Sequence, residues 1–293
     1  MNENILLIGQ NGQLGSEWRY LFETRDIPYT GVGSSELDIT DAEAVHQLID
    51  RTQPDYIINC ASYTAVDAAE DNQEMAMRVN RDGTRNVAEA ASSHEATLIH
   101  YSTDYVFPGY KEDKDRYTRG YDEQAPVKPV NFYGKSKLEG EEAIRENHDK
   151  YIIMRISWLN GVYGSNFIKT IVRLTREKEE ISVVNDQYGA PTFAANVVRN
   201  TVSLIQNGFY GLIHLSCGGL VTWHDIASEV LDQTGAKARL KAVSTEEFGS
   251  RAPRPNFSKL DNRLICSFEG HRIQNWRVGV RQLLRDPRFN VDK

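Results

Sequence analysis

Two residues with chemistry that can be coupled, Tyr133 and Lys137, stand four positions apart near the middle of the chain. The surrounding pattern predicts a helix, on which residues four apart share a face. An ammonium beside a phenol favours the phenolate and lowers the phenol pKa from its usual value of about 10. Such a tyrosine can donate a proton to a developing alkoxide near neutral pH. The pair therefore indicates proton-transfer chemistry, although a surface lysine beside a half-buried tyrosine would show the same spacing.

A glycine-rich turn near the N-terminus supplies a candidate cofactor site. The apolar run Asn4–Ile8 predicts a buried parallel strand and leads directly into Gly9-Gln10-Asn11-Gly12-Gln13-Leu14-Gly15. Glycines at this spacing let the backbone approach a pyrophosphate, and the helix that follows offers its free N–H groups. The spacing differs from the G-x-G-x-x-G of the best-known dinucleotide fingerprint, and an ordinary strand-to-helix turn is the alternative. Strand, turn and helix together favour a nucleotide site.

Composition and charge narrow the class of protein. The 293 residues are 26% charged and 40% hydrophobic, which suits a globular protein of one large or two modest domains. A formal net charge of -7 gives no sign of a nucleic-acid surface, so an anionic substrate would need local Arg and Lys. No apolar run approaches the ~20 residues that span a membrane. The first strand begins at once, which leaves no room for a signal peptide.

Cysteine usage bears on the compartment and on metal binding. Cys60, Cys217 and Cys266 are odd in number and far apart, which suggests reduced thiols. We therefore expect a cytoplasmic protein with no metal site.

The first half of the chain alternates strand and helix patterns, and this alternation predicts the fold. The predicted strands are Ile5–Ile8, Tyr29–Val32, Tyr56–Asn59, Thr97–Ser102 and Tyr151–Ile156, and the predicted helices are Leu14–Thr24, Ala42–Thr52, Met75–Ser92 and Lys135–Glu146. The expected class is α/β, a Rossmann-like doubly wound parallel sheet with a smaller C-terminal α/β substrate domain. Ligands bind such sheets outside the carboxyl ends of the strands.

The second half is less regular and predicts the substrate domain. Its expected elements are helices at Phe167–Lys178, Ala194–Gln206 and Trp223–Thr234, with strands at Ile181–Val184 and Leu212–Ser216. We expect residues 1–157 to form the NAD(P)-binding Rossmann domain and residues 158–293 mainly the substrate domain. Part of about 194–216 is expected to return to the Rossmann sheet. The charged, turn-rich segment Gly109–Lys128 predicts a mobile surface loop beside the site.

An ordered set of motifs resembles the extended, nucleotide-sugar branch of the short-chain dehydrogenase/reductase superfamily, and more narrowly the dTDP-4-dehydrorhamnose reductase family. The motifs are the glycine turn, Leu37–Thr40, Asn59–Asp67, Ser102–Phe107, Tyr133–Lys137, Arg155–Trp158, Asn166–Phe167, Asp186–Thr192 and Arg254–Pro255. They run in family order over nearly the full length. The resemblance implies that NAD(P)H reduces the 4-keto group of a nucleotide-linked 6-deoxyhexulose, with dTDP-4-dehydro-L-rhamnose as the expected substrate.

The resemblance also implies a role for each matching residue. Tyr133 would protonate the new alkoxide, Lys137 would lower its pKa and bind the nicotinamide ribose, and Thr103 would bond the substrate oxygen. Cofactor-binding positions besides Tyr133 and Lys137 would be Gly9, Gly12, Gln13, Leu14, Gly15, Asp38, Ile39, Ala61, Ser62 and Thr64. Substrate contacts would come from Thr103, Asp104, Trp158, Asn166, Gln187 and Arg254, the last pairing with the pyrophosphate.

Each of these residues also has a structural interpretation. Thr103 could cap a strand end, Asp104 could be a turn residue, Trp158 could be a core aromatic, and Arg254 could be a solvated surface residue.

The end of the second predicted strand bears on the choice of cofactor. NAD-specific sites usually carry an acid about 20 residues past the glycines, bonded to the ribose 2′-OH. Here Gly31–Ser35 contains no acid, and the first one is Glu36. Nothing in that strand end repels a 2′-phosphate, so the sequence predicts NADPH, with NADH accepted.

Two alternatives share the same motifs. Dehydratases of this superfamily carry Thr-Asp-Glu at the fourth strand end, whereas this chain has Tyr105 in the third position, which favours simple reduction. A 4-epimerase, another nucleotide-sugar 4-reductase, and a non-catalytic regulatory subunit similar to the methionine adenosyltransferase beta subunit stay open. The expected partner is the nucleotide sugar, with a homodimer left open and no nucleic acid or membrane.

Overall fold

The computed structural model describes residues 3–271 and 273–291. Its strands are β1 (Ile5–Ile8), β2 (Thr30–Val32), β3 (Tyr56–Asn59), β4 (Thr97–Thr103), β5 (Tyr151–Ile156), β6 (Leu159–Asn160), β7 (Glu180–Val184), β8 (Tyr188–Gly189), β9 (Thr192–Phe193), β10 (Gly211–Leu215), β11 (Val221–Thr222) and β12 (Arg239–Val243). Six of them form one parallel sheet in the order β10-β5-β4-β3-β1-β2. The chain order reverses beside β1, as in doubly wound sheets.

The helices lie between and around these strands. They are α1 (Gln13–Thr24), α2 (Ala42–Thr52), α3 (Val66–Ala69), α4 (Gln73–Met77), α5 (Thr84–Ser93), α6 (Asp113–Arg116), α7 (Phe132–Asn147), α8 (Phe167–Glu177), α9 (Ala194–Gln206), α10 (Trp223–Thr234), α11 (Thr245–Phe248), α12 (Arg263–Cys266) and α13 (Trp276–Arg285). No helix within residues 3–271 and 273–291 combines the length and apolarity needed to cross a membrane.

Alternate residues of the central strands bury opposite faces of the sheet. Leu6 and Ile8 pack under α2 and α5 with Val45 and Val87, whereas Leu7 packs on the other face with Trp18 of α1. Successive side chains on a strand point to opposite faces, so a strand covered on both sides is apolar throughout. The short apolar runs in the sequence therefore predicted these strands correctly, and the α/β doubly wound fold is confirmed.

The chain after β5 contributes to both the sheet and a separate cluster. Strand β10 is the edge strand beside β5, and α9 covers the sheet face next to α1. Helices α8, α10 and α13 pack together with the parallel pair β7 and β12 around a third apolar cluster. The division at residues 157 and 158 stays a prediction.

The helix predicted over Met75–Ser92 is interrupted. Residues Arg78–Gly83 form a π-helical segment between α4 and α5. A Cβ on Gly140 of α7 would lie 2.2 Å from the Asn80 carbonyl oxygen, so the two helices touch there backbone to backbone. A π segment adds one residue to the turn of the helix in which Asn80 lies. A single inserted residue hardly changes the hydrophobic periodicity, so the sequence did not predict this interruption.

The segment Gly109–Lys128 is anchored, so the prediction of a mobile surface loop is wrong at its centre. Tyr121 is fully buried and stacks on Phe107 with ring centroids 4.3 Å apart. Its backbone pairs with Lys259 and Asp261 at 2.9 and 2.8 Å, and its hydroxyl bonds the buried Asp113 carboxylate. The charged residues around it in the sequence gave no indication that Tyr121 is buried.

Candidate active site

The residues predicted to take part in catalysis lie at the edge of the sheet where the carboxyl ends of the strands meet. Asn131 caps α7 by accepting the Gly134 N–H at 2.8 Å, which fixes where the helix begins. A Cβ on Gly134 would lie 2.2 Å from the Tyr105 carbonyl oxygen, so α7 starts against the turn that follows β4. This close approach places Tyr133 beside Tyr105, with ring centroids 5.9 Å apart. The structure thus brings Tyr133 to the end of β4, where Thr103 and Asp104 lie.

The surroundings of Tyr133 keep its phenol protonated. Burial raises the pKa of Tyr133 to about 12, the Thr103 hydroxyl lowers it, and the Asp104 carboxylate raises it. The lowering of the Tyr133 pKa by Lys137 stays a prediction.

Lys137 points inward instead. Its Nζ lies 3.1 Å from Nε2 of His100, a residue of β4 that is completely buried. Burial lowers the pKa of Lys137 to about 8, against the charge of Glu141 and the thiol of Cys60, which raise it. Helical spacing predicts that Tyr133 and Lys137 start from the same face of α7, but the long lysine side chain can place its amine beside another residue.

Asp104 is a buried carboxyl group beside two hydroxyls. Thr103 Oγ1 donates to Asp104 Oδ1 at 3.2 Å. Burial raises the pKa of Asp104 to about 7, opposed by hydrogen bonds with Ser258 and with Thr103.

Asp104→Asn is expected to remove a pH dependence of the folding stability. The native pKa of about 7 lies above the unfolded value of about 3.9, so only the folded protein holds this proton between those values. The free energy of unfolding should therefore fall as pH rises, by up to ~1.4 kcal/mol per pH unit from this group.

Urea unfolding of wild type and Asp104→Asn at several pH values from 4 to 7 measures the difference. As pH rises, the free energy of unfolding of wild type should fall relative to that of Asp104→Asn. A difference between the two proteins that stays constant with pH would contradict a raised pKa for Asp104. Asp38→Asn is a control, because the hydrogen bond from Thr40 lowers the pKa of Asp38, so the difference between this variant and wild type should stay constant from pH 4 to 7.

The glycine turn has the shape of a phosphate cradle. Gly9 has φ of +77°, and a Cβ there would lie 2.7 Å from Ala61 N; a Cβ on Gly15 would lie 2.2 Å from the Gly9 carbonyl oxygen. Gly12, in contrast, has only the Gly9 oxygen nearby, at 3.4 Å, and it precedes α1 without a side-chain cap. The outer glycines thus allow tight packing and the middle one leaves the helix N-terminus open. These features fit a dinucleotide pyrophosphate.

A residue that the sequence analysis missed links the loop after β3 to α7. Asn80 accepts from Ser62 Oγ at 2.9 Å and from Tyr63 N at 2.8 Å. It also donates to the Tyr63 carbonyl at 3.0 Å and to Ser136 Oγ at 2.9 Å. Asn80 therefore fixes the predicted Ala61–Thr64 cofactor loop against the helix of Tyr133. The sequence signal was a polar residue at an otherwise apolar helix position.

The remaining predicted cofactor residues lie along the sheet edge toward β2. Ile39 is buried against Gly83, while Asp38 accepts from Thr40 N at 2.9 Å and faces Arg78. Gln13 and Leu14 form the first turn of α1.

Glu36 lies closer to the end of β2 than its sequence position suggested. Its carboxylate accepts the Gly33 N–H at 2.7 Å, and this bond lowers the pKa of Glu36. A negative charge therefore lies directly after the Gly31–Ser35 segment. That this segment itself contains nothing to repel a 2′-phosphate stays a prediction.

Glu36→Gln is expected to raise the ratio of kcat/KM for NADPH over NADH several-fold, because an amide does not repel a 2′-phosphate. The effect should shrink at high salt, which screens exposed charges. Glu43→Gln on α2 is the control, since that exposed carboxylate bonds Gln47 on its own helix. An unchanged ratio, or a shift toward NADH, would contradict the role of Glu36.

Aromatic residues and Gln187 form a second, deeper region. Trp158 stacks on Trp223 with centroids 3.8 Å apart, and Trp223 Nε1 donates to Gln187 Oε1 at 3.0 Å. A cavity of about 390 Å³ is lined by Gln187, Trp223 and Arg254, among other residues. Of the predicted substrate contacts, Trp158 supports this wall from behind.

Asn166 is not brought to this cavity. It caps α8 by accepting from Lys169 N at 3.1 Å and donates to Gly161 O at 2.8 Å and Gln13 Oε1 at 3.3 Å. Its side chain therefore links α8 to the glycine turn.

Arg254 is held across the cleft by Asp67. Its Nη2 donates to Asp67 Oδ2 at 2.8 Å, and the other Asp67 oxygen accepts from Ala252 N at 2.9 Å. Nη1 of Arg254 is buried without a hydrogen-bond partner among the described residues. A guanidinium fixed on one side and unsatisfied on the other fits an anionic ligand.

Gly109→Ala is expected to weaken substrate binding through Arg254. Gly109 has φ of +63°, its carbonyl accepts from Asn256 N at 2.9 Å, and a Cβ would lie 2.2 Å from Pro255 Cβ. The added methyl group must displace the Pro255 segment and with it Arg254. Substrate KM should rise at least several-fold while the Kd of NADPH stays unchanged.

Gly208→Ala is the matched control for backbone strain. Gly208 has φ of +64°, but a Cβ there meets nothing within 4 Å. Equal effects of the two substitutions on substrate KM would contradict the positioning argument.

The parallel sheet, the glycine cradle and the Thr103 and Tyr133 pair define a Rossmann-fold reductase of the extended short-chain dehydrogenase/reductase class. A protein-family model described as the RmlD substrate binding domain matches residues 3–289. The dTDP-4-dehydrorhamnose reductase of Salmonella typhimurium is 38% identical over 97% of both chains.

Solved structures agree with this assignment. The dTDP-4-dehydrorhamnose reductase of Bacillus anthracis, in complex with NADP, has a TM-score of 0.92 and 38% identity, over 97% of this chain and 99% of that one. The ortholog from Clostridium acetobutylicum has a TM-score of 0.91 and 35% identity, over 96% and 98%. The chain belongs to the RmlD family of dTDP-4-dehydrorhamnose reductases, as its motifs predicted.

Proposed function

We propose that this protein is an NADPH-dependent reductase that converts dTDP-4-dehydro-L-rhamnose to dTDP-L-rhamnose, for deoxysugar and cell-surface polysaccharide biosynthesis. The observation that carries the proposal is the protonated Tyr133 phenol beside Thr103 and Asp104 at the sheet edge that also holds the glycine cradle. Family membership supports the same reaction, because relatives aligned over the full length are named for it.

Residues of this chain would hold the cofactor along the sheet edge. The cradle of Gly9, Gly12 and Gly15 would take the pyrophosphate, and the loop that Asn80 fixes would take the nicotinamide-side ribose. When bound, NADPH supplies the hydride for the C4 carbon of the sugar.

Tyr133 would act as the general acid. A phenol with a pKa of about 12 is protonated at neutral pH, which is the form required to protonate O4 during reduction. Thr103 would bond the same oxygen, and its hydroxyl also lowers the pKa of Tyr133. The Asp104 carboxyl group would accept a hydrogen bond from a hydroxyl of the sugar.

The nucleotide would lie between Arg254 and the aromatic wall. The unsatisfied Nη1 of Arg254 would pair with the pyrophosphate. The cavity bounded by Gln187 and Trp223 would receive the base.

A panel of dTDP- and UDP-linked 4-keto-6-deoxysugars with NMR of the products tests the proposal. We expect one mole of NADPH consumed per mole of dTDP-L-rhamnose formed. An epimerase would interconvert isomers with no net oxidation of cofactor, and a regulatory subunit would bind NADPH without turnover. Either outcome would overturn the proposal.

Location and assembly belong to the same proposal. The three cysteines form no disulfide among the described residues, which supports a reducing cytoplasmic location. A homodimer stays a prediction.

A further inference from the structure

A side chain of the glycine turn reaches the end of β2. A Cβ on Gly33, the first residue after β2, would lie 2.4 Å from Nδ2 of Asn11. The turn itself pairs with the same strand end, because Val32 O accepts the N–H groups of Gly9 and Gln10 at 2.8 and 3.1 Å. The Asn11 amide therefore lies where Rossmann folds recognise the adenosine ribose, with an acid for a 2′-hydroxyl or an arginine for a 2′-phosphate.

Arg19 of α1 binds the other end of this amide. Its Nη1 donates to Asn11 Oδ1 at 3.3 Å. Side chains on a helix lean toward the N-terminus of that helix, so a residue in the second turn of α1 can reach the loop that precedes it. Two contacts, from Arg19 to Asn11 and from Asn11 to Gly33, thus connect a guanidinium to the end of β2.

The guanidinium of Arg19 keeps unused donor capacity. Its Nε is buried without a hydrogen-bond partner among the described residues, and its ion pair with Glu23 is 3.6 Å long. Both side chains of this pair are partly exposed, at 39% and 58%, and such pairs contribute little to stability. A phosphate accepts two parallel N–H bonds from a guanidinium, which is a stronger contact. An anion at the end of β2 can therefore draw Arg19 away from Glu23.

The other polar groups at this strand end act in both directions. The Glu36 carboxylate is already bonded to the Gly33 N–H at 2.7 Å and to the Ser35 side chain, and its charge opposes a phosphate. Ser34 is exposed and offers a hydroxyl that can donate to a phosphate oxygen. The Arg19 charge and the Ser34 hydroxyl favour a phosphate, so Arg19 offsets the charge of Glu36.

We propose that Arg19, positioned by Asn11, is the specificity residue that binds the 2′-phosphate of NADPH at the end of β2. The inference rests on the proposed function, in which NADPH is the reductant, and adds the side chain that distinguishes it from NADH. NADH carries a neutral hydroxyl at the same ribose carbon and offers the guanidinium no charged partner. Arg19 stands four residues after Gly15, outside the glycine motif, so the motif spacing does not indicate it.

Two isomeric probes without nicotinamide test this site by calorimetric titration. Adenosine 2′,5′-bisphosphate and adenosine 3′,5′-bisphosphate carry the same charge and differ in which ribose oxygen bears the phosphate. We expect wild type to bind the 2′,5′ isomer about tenfold or more tightly than the 3′,5′ isomer, the usual effect of a hydrogen-bonded charge. Arg19→Gln should abolish this preference by raising the Kd of the 2′,5′ isomer. Arg19→Lys keeps the charge without the planar fork and should keep only part of the preference.

Arg25→Gln is the matched control for loss of one positive charge. Arg25 is exposed at the C-cap of α1, six residues beyond Arg19 and away from the glycine turn. Its substitution should leave both Kd values unchanged. The proposal is overturned if wild type shows no preference for the 2′,5′ isomer, or if Arg19→Gln keeps it. Equal weakening of both isomers by Arg19→Gln, or an equal effect of Arg25→Gln, would also overturn it.

Asn11→Ala tests the positioning of Arg19. The variant removes the acceptor for Nη1 and leaves the guanidinium charge in place. Its preference for the 2′,5′ isomer should be smaller than that of wild type and larger than that of Arg19→Gln. An unchanged preference would overturn the role of Asn11.

Turnover separates this inference from the proposed function. The titrations involve no sugar and no hydride transfer, so their outcome stands whether or not the protein reduces any ketosugar. In turnover, Arg19→Gln should lower the ratio of kcat/KM for NADPH over NADH, opposite to Glu36→Gln. Reduction of the sugar with an unchanged ratio would overturn the role of Arg19 alone. Loss of the 2′,5′ preference in Arg19→Gln, together with no turnover by wild type, would overturn the proposed function alone.

Discussion

Tyr133→Phe is expected to lower kcat for 4-keto-sugar reduction by about 10²–10⁴-fold, the range for loss of a general acid. The change removes one oxygen and leaves the ring that packs edge-on against Tyr105. The Kd of NADPH should stay within a few-fold, because the glycine cradle and the loop fixed by Asn80 are untouched. Stopped-flow single turnovers measure the chemical step, and fluorescence titration measures cofactor binding.

Tyr105→Phe is the matched control for this prediction. Tyr105 lines the neighbouring cavity of Gln187 and Trp223, and its substitution removes the same oxygen, but its ring lies beside Tyr133 rather than in its place. We expect its kcat to fall by less than tenfold. If Tyr133→Phe retained a kcat within tenfold of wild type, or if both variants lost activity equally, Tyr133 would not be the proton donor.

Arg155→Met is expected to lower the free energy of unfolding by about 3–5 kcal/mol, the usual cost of removing one partner from a buried ion pair. Arg155 Nε and Nη2 donate to the two Glu141 oxygens at 2.8 and 2.7 Å, and both side chains are almost completely buried. This pair fixes α7 to β5. Arg155 and Ser102 hold the pKa of Glu141 below its usual value, against the effect of burial. Their contribution to the free energy of unfolding is therefore complete above the usual carboxyl pKa, and it is lost as pH falls through the lowered pKa.

Arg145→Met provides the comparison for that variant. Arg145 also donates to Glu141, at 2.7 Å, but a third of its side chain is exposed, and exposed pairs contribute about 0–1 kcal/mol. Urea unfolding at neutral pH should rank wild type, Arg145→Met and Arg155→Met in that order. Equal destabilisation by the two changes would contradict the role assigned to the buried pair.

Local pattern predicted the sheet and most helices because each depends on neighbours in sequence. The strands at Ile5–Ile8 and Tyr56–Asn59 and the helices at Ala42–Thr52 and Ala194–Gln206 have their predicted bounds. Those strands are buried on both faces, and those helices are amphipathic. The π segment was missed because a single inserted residue hardly alters the periodicity.

The parts of the candidate site that could be predicted are those in which a sequence motif determines the local backbone conformation. The glycine cradle follows from its spacing, and so does the position of Tyr133 at the start of a helix. The direction of the Lys137 amine, toward His100, depends on packing between two elements far apart in sequence. The Asp67–Arg254 pair and the buried Tyr121 arise in the same way, and no local pattern encodes them.

Transfer of deuterium from (4R)- and (4S)-deuterated NADPH, assayed separately with dTDP-4-dehydro-L-rhamnose, tests the proposed hydride transfer. We expect one of the two labels to give dTDP-L-rhamnose with deuterium bound to C4 only, and the O4 proton to derive from solvent. Turnover that leaves the sugar without deuterium from both labels, deuterium at another carbon, or no product at all would contradict the proposed reduction.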